Sequence, residues 1–299
     1  MFLITQLIGL FVINQYSPIT TQVLDEQGNL LNVTSYNLPY GVEPPSDVTP
    51  RDTLISIIIA IAIAVSIMLL LMKYNVEIFF KVWFFVVVSI AMAITFNSIV
   101  PSNLQYASLI ALIIAIPLSY IKIFKRNIYI HNITELAVYP GIAVIFVPLL
   151  NIWTTVILLI LISLYDMYAV WHAGFMQKMA HYQIEKLQIF TGFFIPYMGK
   201  KQKQLLIKAQ NSKSKKLNKL KKKIKVNLAI LGGGDVVFPI ILAGVVFNAL
   251  GLIPALIISL GATISLAGLF YISQKGKFYP AMPFITAGCL IALSIAYLI

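Results

Sequence analysis

Asp166 and Asp235 are carboxylates set inside apolar stretches long enough to cross a bilayer, and no other acidic residue is placed that way in the sequence. An ionised carboxylate deep in a bilayer is costly, so residues of this kind are rare and as a rule functional. Tyr165 precedes the first, in LLILISLYDMYAV. Gly232, Gly233 and Gly234 precede the second, in LAILGGGDVVFP. Two carboxylates that face each other do not both ionise at neutral pH; they share a proton. The ionised one can take a proton from water. The protonated one can hydrogen-bond a carbonyl under attack, which gives a tetrahedral gem-diol. This chemistry needs no metal, no cofactor and no covalent intermediate.

The elements that must position the pair are membrane helices. The chain has 299 residues, of which 60% are hydrophobic and 11% charged, with mean hydropathy +0.90. That balance excludes an ordinary soluble domain and predicts an all-α polytopic membrane protein. Nine apolar segments are legible: Phe2–Asn14, Leu54–Met72, Ile78–Val100, Leu104–Ile121, Leu136–Leu150, Ile152–Gly174, Val226–Leu250, Leu252–Ser273 and Pro280–Ile299. A crossing helix needs roughly 20 residues. The first and fifth segments fall short of that, and the fifth can gain length from His131–Glu135. The first could be a signal peptide, but it lacks a basic start and a small-residue cleavage site, which favours a retained helix. Pro117 and Pro148 are placed to kink or end their helices. No internal repeat of the transporter kind appears.

Charge sets the expected orientation. Fourteen of the 22 Lys and Arg lie between Lys178 and Lys225. With nine crossings and the N-terminus in the cytoplasm, 21 of the 22 fall on inside loops, and only Arg51 does not. The positive-inside rule therefore predicts N-in, C-out. The polar segment Tyr16–Pro50 then lies outside and carries Asn32-Val33-Thr34, a match to the short glycosylation acceptor. The expected organisation is one membrane domain: helices one to six over residues 1–174, with an outside loop at 15–50; a basic cytoplasmic loop at 175–225; and helices seven to nine over 226–299.

The two aspartates fall at one depth in this scheme. Asp166 lies eight residues from the inner end of helix six, and Asp235 nine residues into helix seven if that helix starts at Val226. At 1.5 Å per residue these are roughly 12 and 14 Å. The triple glycine permits close helix approach and weakens the local helix, so that water and an unwound peptide can reach the carboxylate. A plain small-residue packing face is the simpler reading of the glycines alone.

Together, Tyr165-Asp166, the Gly-x-Gly-Asp at Gly232–Asp235, and Pro280-Ala281-Met282 opening the last helix resemble the presenilin/signal peptide peptidase family of intramembrane aspartyl proteases. Order, helix count and the long loop between the Asp helices match over essentially the whole chain. The resemblance implies Asp166 and Asp235 as the catalytic pair. It also implies that Pro280, Ala281 and Met282 lie beside the site and help to hold substrate. Size and short loops look most like archaeal members. Met282 stands where that family has Leu, a nearly volume-conserving change. Gly233 fills the variable position with the smallest residue. A literal Pro254-Ala255-Leu256 opens helix eight at the outer end and is a decoy. The N-in orientation is that of presenilin, and it implies transmembrane-helix substrates whose N-terminus lies outside.

Other features carry simpler readings. Leu187–Met198 is an apolar patch in the basic loop, too short to span, which reads as an interfacial segment or as a flap over the site. The Lys200–Lys225 run lies near lipid headgroups and lacks the interleaved aromatics of a nucleic-acid site, so the expected partners are membrane lipid and peptide. His131, His172 and His181 have no metal-ligand spacing. Tyr165 is placed to hydrogen-bond near the pair, and Glu135 reads as an interfacial residue. Cys289 is the single cysteine, so no internal disulfide exists. The competing functions are a prepilin-type peptidase, which has fewer helices; a proton-coupled transporter or cation channel using the Asp pair; and an inactive homologue that binds without cleaving.

Overall fold

A computed structural model of the chain describes residues 1–24, 30–42, 49–74, 77–101, 104, 106–125, 127–173, 192–197, 227–273 and 279–298. The basic run and the ends of the Leu187–Met198 patch lie outside the described residues.

Nine α-helices form among the described residues: α1 (Phe2–Gln15), α2 (Pro50–Tyr74), α3 (Glu77–Asn97), α4 (Ala107–Phe124), α5 (Ile128–Phe146), α6 (Ile152–Tyr168), α7 (Gly233–Leu250), α8 (Leu252–Ile272) and α9 (Met282–Ala296). Seven of them are long and apolar enough to cross a membrane, and α1 and α9 are shorter. Side chains cap the starts of α5 and α6. Asn127 caps α5 by accepting from the Tyr129 and Ile130 N–H groups. Asn151 and Thr154 form a reciprocal capping box at α6. Pro148 sits in the 3-10 turn Val147–Leu149 that ends α5, whereas Pro117 lies within α4.

The core is organised around α7, which packs against α1, α5, α6, α8 and α9. Over Pro239–Val246 this helix is buried on all sides, with Ile240, Ile241, Leu242, Ala243 and Val246 each nearly inaccessible. Small residues allow the close approaches. A Cβ on Gly244 would lie 2.5 Å from Ile13 Cδ1, and one on Gly141 would strike the backbone of Ala91. By contrast, α2 stands at the edge, with 11% of its span window buried, and packs on α6.

Two short hairpins were not legible in the sequence. β1 (Ile19–Leu24) pairs antiparallel with β2 (Leu30–Ser35) in the polar segment after α1. β3 (Gly192–Tyr197) pairs antiparallel with β4 (Asn227–Gly232), Gly192 opposite Gly232 and Tyr197 opposite Asn227. β4 corrects the expected seventh helix. Residues 227–232 are extended, and the helix begins only at Gly233. The run Asn-Leu-Ala-Ile-Leu is as apolar as a helix start, but three glycines after it favour an extended chain over a helical turn.

Candidate active site

Asp235 stands in the first turn of α7, not nine residues inside a helix. With Gly232 as N-cap it occupies the third helical position, from which an acidic side chain reaches back to the N-cap N–H. The Gly232 N–H faces this carboxylate. A Cβ on Gly232 would lie 3.1 Å from Asp235 Oδ2, and one on Gly233 would lie 3.0 Å from the Tyr139 ring. Gly234 is exposed, and Phe238, at 3.5 Å, is all that a Cβ there would meet within 4 Å. The three glycines are therefore not equivalent. One admits the carboxylate, one admits Tyr139, and the third has room for a methyl in ordinary contact with Phe238. Pro239 lies inside α7 and lacks an N–H, so the Asp235 carbonyl has no intrahelical partner. Beside it, Gln6 Nε2 of α1 donates to the Val236 carbonyl at 3.1 Å.

Asp166 stands at the other kind of helix end. Regular α6 stops at Tyr168, and a π-helical turn over Ala169–Ala173 follows. Such turns recur at functional sites because they re-aim side chains. Asp166 is 6% exposed. The Met282 N–H donates to Asp166 Oδ2 at 3.2 Å, and the Ala281 N–H faces the same carboxylate. One turn along, Ser163 Oγ and Thr286 Oγ1 share a buried hydrogen bond of 2.7 Å, which stitches α6 to α9. Pro280 and Met282 are buried, and Ala281 is half-buried. Tyr165 is 40% exposed and lies near Asp166.

The two carboxylates lie within electrostatic reach of each other. α6, α7 and α9 pack mutually around them. Each carboxylate is met by backbone N–H groups from a segment that has left regular helix. No group of three or more His, Cys, Asp or Glu able to hold a metal occurs among the described residues. Pro254-Ala255-Leu256 lies in the first turn of α8, at the opposite end of α7 from Asp235.

A model of the family described as signal-peptide peptidase, presenilin aspartyl protease matches residues 30–299. The chain belongs to this family. Two crystal forms of a presenilin family intramembrane aspartate protease, in space groups C222 and P2, share its fold. Each superposes with a TM-score of 0.59 at 18% identity, over 100% of this chain and 96% and 95% of theirs. No curated protein matches the chain. Family and fold together indicate an intramembrane aspartyl protease of the presenilin type.

Within this presenilin-type frame, one group of residues escaped the sequence reading. Glu135 is not interfacial. The helix that holds it starts at Ile128, and Glu135 is 0% exposed. Its Oε1 lies 2.6 Å from Lys122 Nζ of α4 and 3.3 Å from His131 Nε2. Lys122 is likewise not a loop charge, since its side chain is 2% exposed. The signal was present as His131, Glu135 and Tyr139, spaced by four along one helix face. It is obscured in the sequence because the clearly apolar run begins only at Leu136, eight residues after the helix itself begins at Ile128.

Proposed function

We propose that this protein hydrolyses peptide bonds inside the transmembrane segments of single-pass proteins or signal-peptide remnants, with Asp166 and Asp235 as the catalytic pair. The observation that carries this is the convergence of two helix ends. The last turn of α6 and the first turn of α7 bring one carboxylate each to a common space, and each is oriented by backbone N–H groups.

The mechanism follows from that geometry. The pair holds one proton. The ionised member removes a proton from a water as the water oxygen attacks the scissile carbonyl carbon. The protonated member donates to the carbonyl oxygen, and a gem-diol forms. The gem-diol collapses as one member of the pair gives its proton to the amide nitrogen and the other takes a proton from a gem-diol hydroxyl; the C–N bond breaks to leave a carboxyl group and an amine, and the pair again holds one proton. Tyr165, the three glycines and Pro280–Met282 shape the space around the reacting carbonyl. Nothing in these steps calls for a metal or cofactor.

A substrate helix must unwind before its carbonyl can be attacked, and its freed backbone groups then need partners. β4 supplies them. Gly192 and Phe194 turn their backbone groups away from β4, toward α5. Alternation then makes Phe193–Leu231 the hydrogen-bonded pair and turns the backbone of Leu228 and Ile230 to the outer edge of β4. Among the described residues the sheet has two strands, and no third strand lies on that edge. It runs directly into Gly232 and Asp235. A peptide added there as a third strand delivers its backbone to the carboxylates.

The proposed setting is the cell membrane of an archaeon, on the likeness in size and loop length to archaeal members. Residues 175–225 form the cytoplasmic connection in an N-in, C-out arrangement, and the partners are transmembrane peptides and lipid, with no nucleic acid. The test is cleavage of a single-pass reporter by purified protein in liposomes, comparing the wild type with Asp166→Asn and Asp235→Asn. Cleavage by the wild type alone supports the reading, with losses of about 10²–10⁴ or more expected for each variant. Wild-type protein that cleaves no reporter but carries a proton flux overturns it in favour of a transporter.

A further inference from the structure

His131, Asn132, Glu135 and Lys122 form a buried polar cluster that takes no part in the mechanism above. A charged pair inside a membrane protein is expensive, and apolar residues of the same size are often as stable or more so. The cluster therefore calls for a role other than stability. Its contacts point to one. Lys122 pairs with Glu135, and His131, Asn132 and Glu135 all reach the outer edge of β3.

Asn132 Nδ2 donates to the Phe194 carbonyl at 2.8 Å, and Asn132 Oδ1 accepts from the Phe194 N–H at 3.0 Å. That side-chain amide gives Phe194 the donor and acceptor that a neighbouring strand would give. The pattern repeats two residues earlier. His131 Nε2 lies 2.8 Å from the Gly192 carbonyl, an acceptor, so this nitrogen carries the hydrogen. Glu135 Oε1 accepts from the Gly192 N–H at 3.4 Å. Two residues is the repeat of a strand edge. The rings add to this. His131 packs on Phe194 with centroids 4.9 Å apart, and Tyr139 meets Phe193 edge to face at 5.5 Å. Tyr139 also touches Gly233, two residues from Asp235.

We propose that His131, Asn132 and Glu135 are positioning residues that occupy the β3 edge as a third strand would, fix the register of the β3–β4 hairpin, and so select which substrate peptide bond reaches Asp166 and Asp235. This rests on the peptidase reading and on strand addition at β4. The logic is one of register. β4 is keyed to β3, and a peptide on β4 is keyed to β4. A slip of β3 by one residue would turn the wrong backbone groups to α5, and a slip by two would leave Asn132 or His131 without its partner. With the β3 edge filled by side chains, the β4 edge is the one left without a partner strand among the described residues, and substrate adds there.

The test uses full-length protein in liposomes with a single-pass reporter and reads the product ends by mass spectrometry. Asn132→Leu keeps the side-chain size and removes both bonds to Phe194. The expected result is a spread of cleavage to bonds one or two residues away, with kcat reduced on the order of ten-fold and KM little changed. Hydrogen exchange over residues 192–197 is read in parallel on the Asp235→Asn background, where no turnover occurs. It should speed up by roughly ten-fold in Asn132→Leu. Unchanged exchange overturns the clamp. Faster exchange with the same scissile bonds overturns its role in register. Should Asn132→Leu fail to fold, Asn132→Ser, which is too short to hold both Phe194 groups, is read in the same way. A wild-type protein that cleaves no reporter sinks the peptidase reading itself, and the register role with it; the exchange arm still decides whether the clamp exists.

Discussion

Gly232 and Asp235 are the N-cap and third residue of α7, and a side chain on the first would press within 3.1 Å of the carboxylate of the second. The glycine is needed for space more than for backbone freedom, since its φ of −62° is open to any residue. This distinguishes the three glycines, and each can be tested singly.

Gly232→Ala should move the Asp235 carboxylate and lower kcat while leaving the melting temperature nearly unchanged. Gly233→Ala pushes on the buried Tyr139 ring and should destabilise by about 1–3 kcal/mol, the usual scale of overpacking. Gly234→Ala makes an ordinary van der Waals contact with Phe238 and reduces the entropy of the unfolded chain, so it should stabilise by about 0.4–1 kcal/mol. Its methyl projects where a peptide must pass, so cleavage should fall despite the gain. Thermal unfolding and reporter cleavage on the three variants separate these outcomes. Equal effects on both readouts in all three would contradict the assignment.

Lys122 and Glu135 should behave as a pair. Lys122→Met leaves Glu135 buried without its charge partner and should cost about 3–5 kcal/mol. Lys122→Met combined with Glu135→Leu removes both charges and should recover most of that loss. The double variant lacks the acceptor for the Gly192 N–H, so its products should remain heterogeneous after stability returns. Thermal unfolding in detergent and product analysis check both halves; a double variant no more stable than the single one would show that the pair is not coupled.

Thr286→Val keeps shape and removes the hydroxyl that meets Ser163 one turn from Asp166. The loss of stability should be small, about 1 kcal/mol. The contact between Asp166 and the Met282 N–H should loosen with it, so kcat should fall by more than stability predicts. Ser163→Ala in the same background should add little, because the interaction is already gone. Steady-state kinetics on the double-mutant cycle decide this.

The charge distribution predicts that tags on the N-terminus and on the 198–226 loop are reached from one side of the membrane, and a tag on the C-terminus from the other. Sided proteolysis of sealed vesicles reads this directly. A C-terminus cleaved together with the loop would reverse the orientation, and with it the direction of the substrates.

The sequence was informative where apolar length dominates. Six helices carry nearly the expected bounds, and Asp166 and Asp235 stood out because nothing apolar explains them. It was less informative where backbone and long-range contacts decide. Apolar residues 228–231 suit a buried strand as well as a helix, and their pairing with residues 193–196 selects the strand. Glu135 looked interfacial because its partners, Lys122 and Gly192, lie 13 and 57 residues away. A four-residue stripe of His, Glu and Tyr in an apolar helix is visible on inspection. What it faces is a matter of tertiary structure.

The pairing of Tyr197 with Asn227 has a topological consequence. The chain leaves the hairpin at 198 and returns at 227 beside the point of departure. The two ends of the 198–226 connection, Tyr197 and Asn227, are held side by side by the sheet itself. A compact foreign domain with neighbouring termini could be spliced into that connection, or the connection cut once, and the two flanking parts would remain joined by α5, β3 and β4 rather than by the covalent chain.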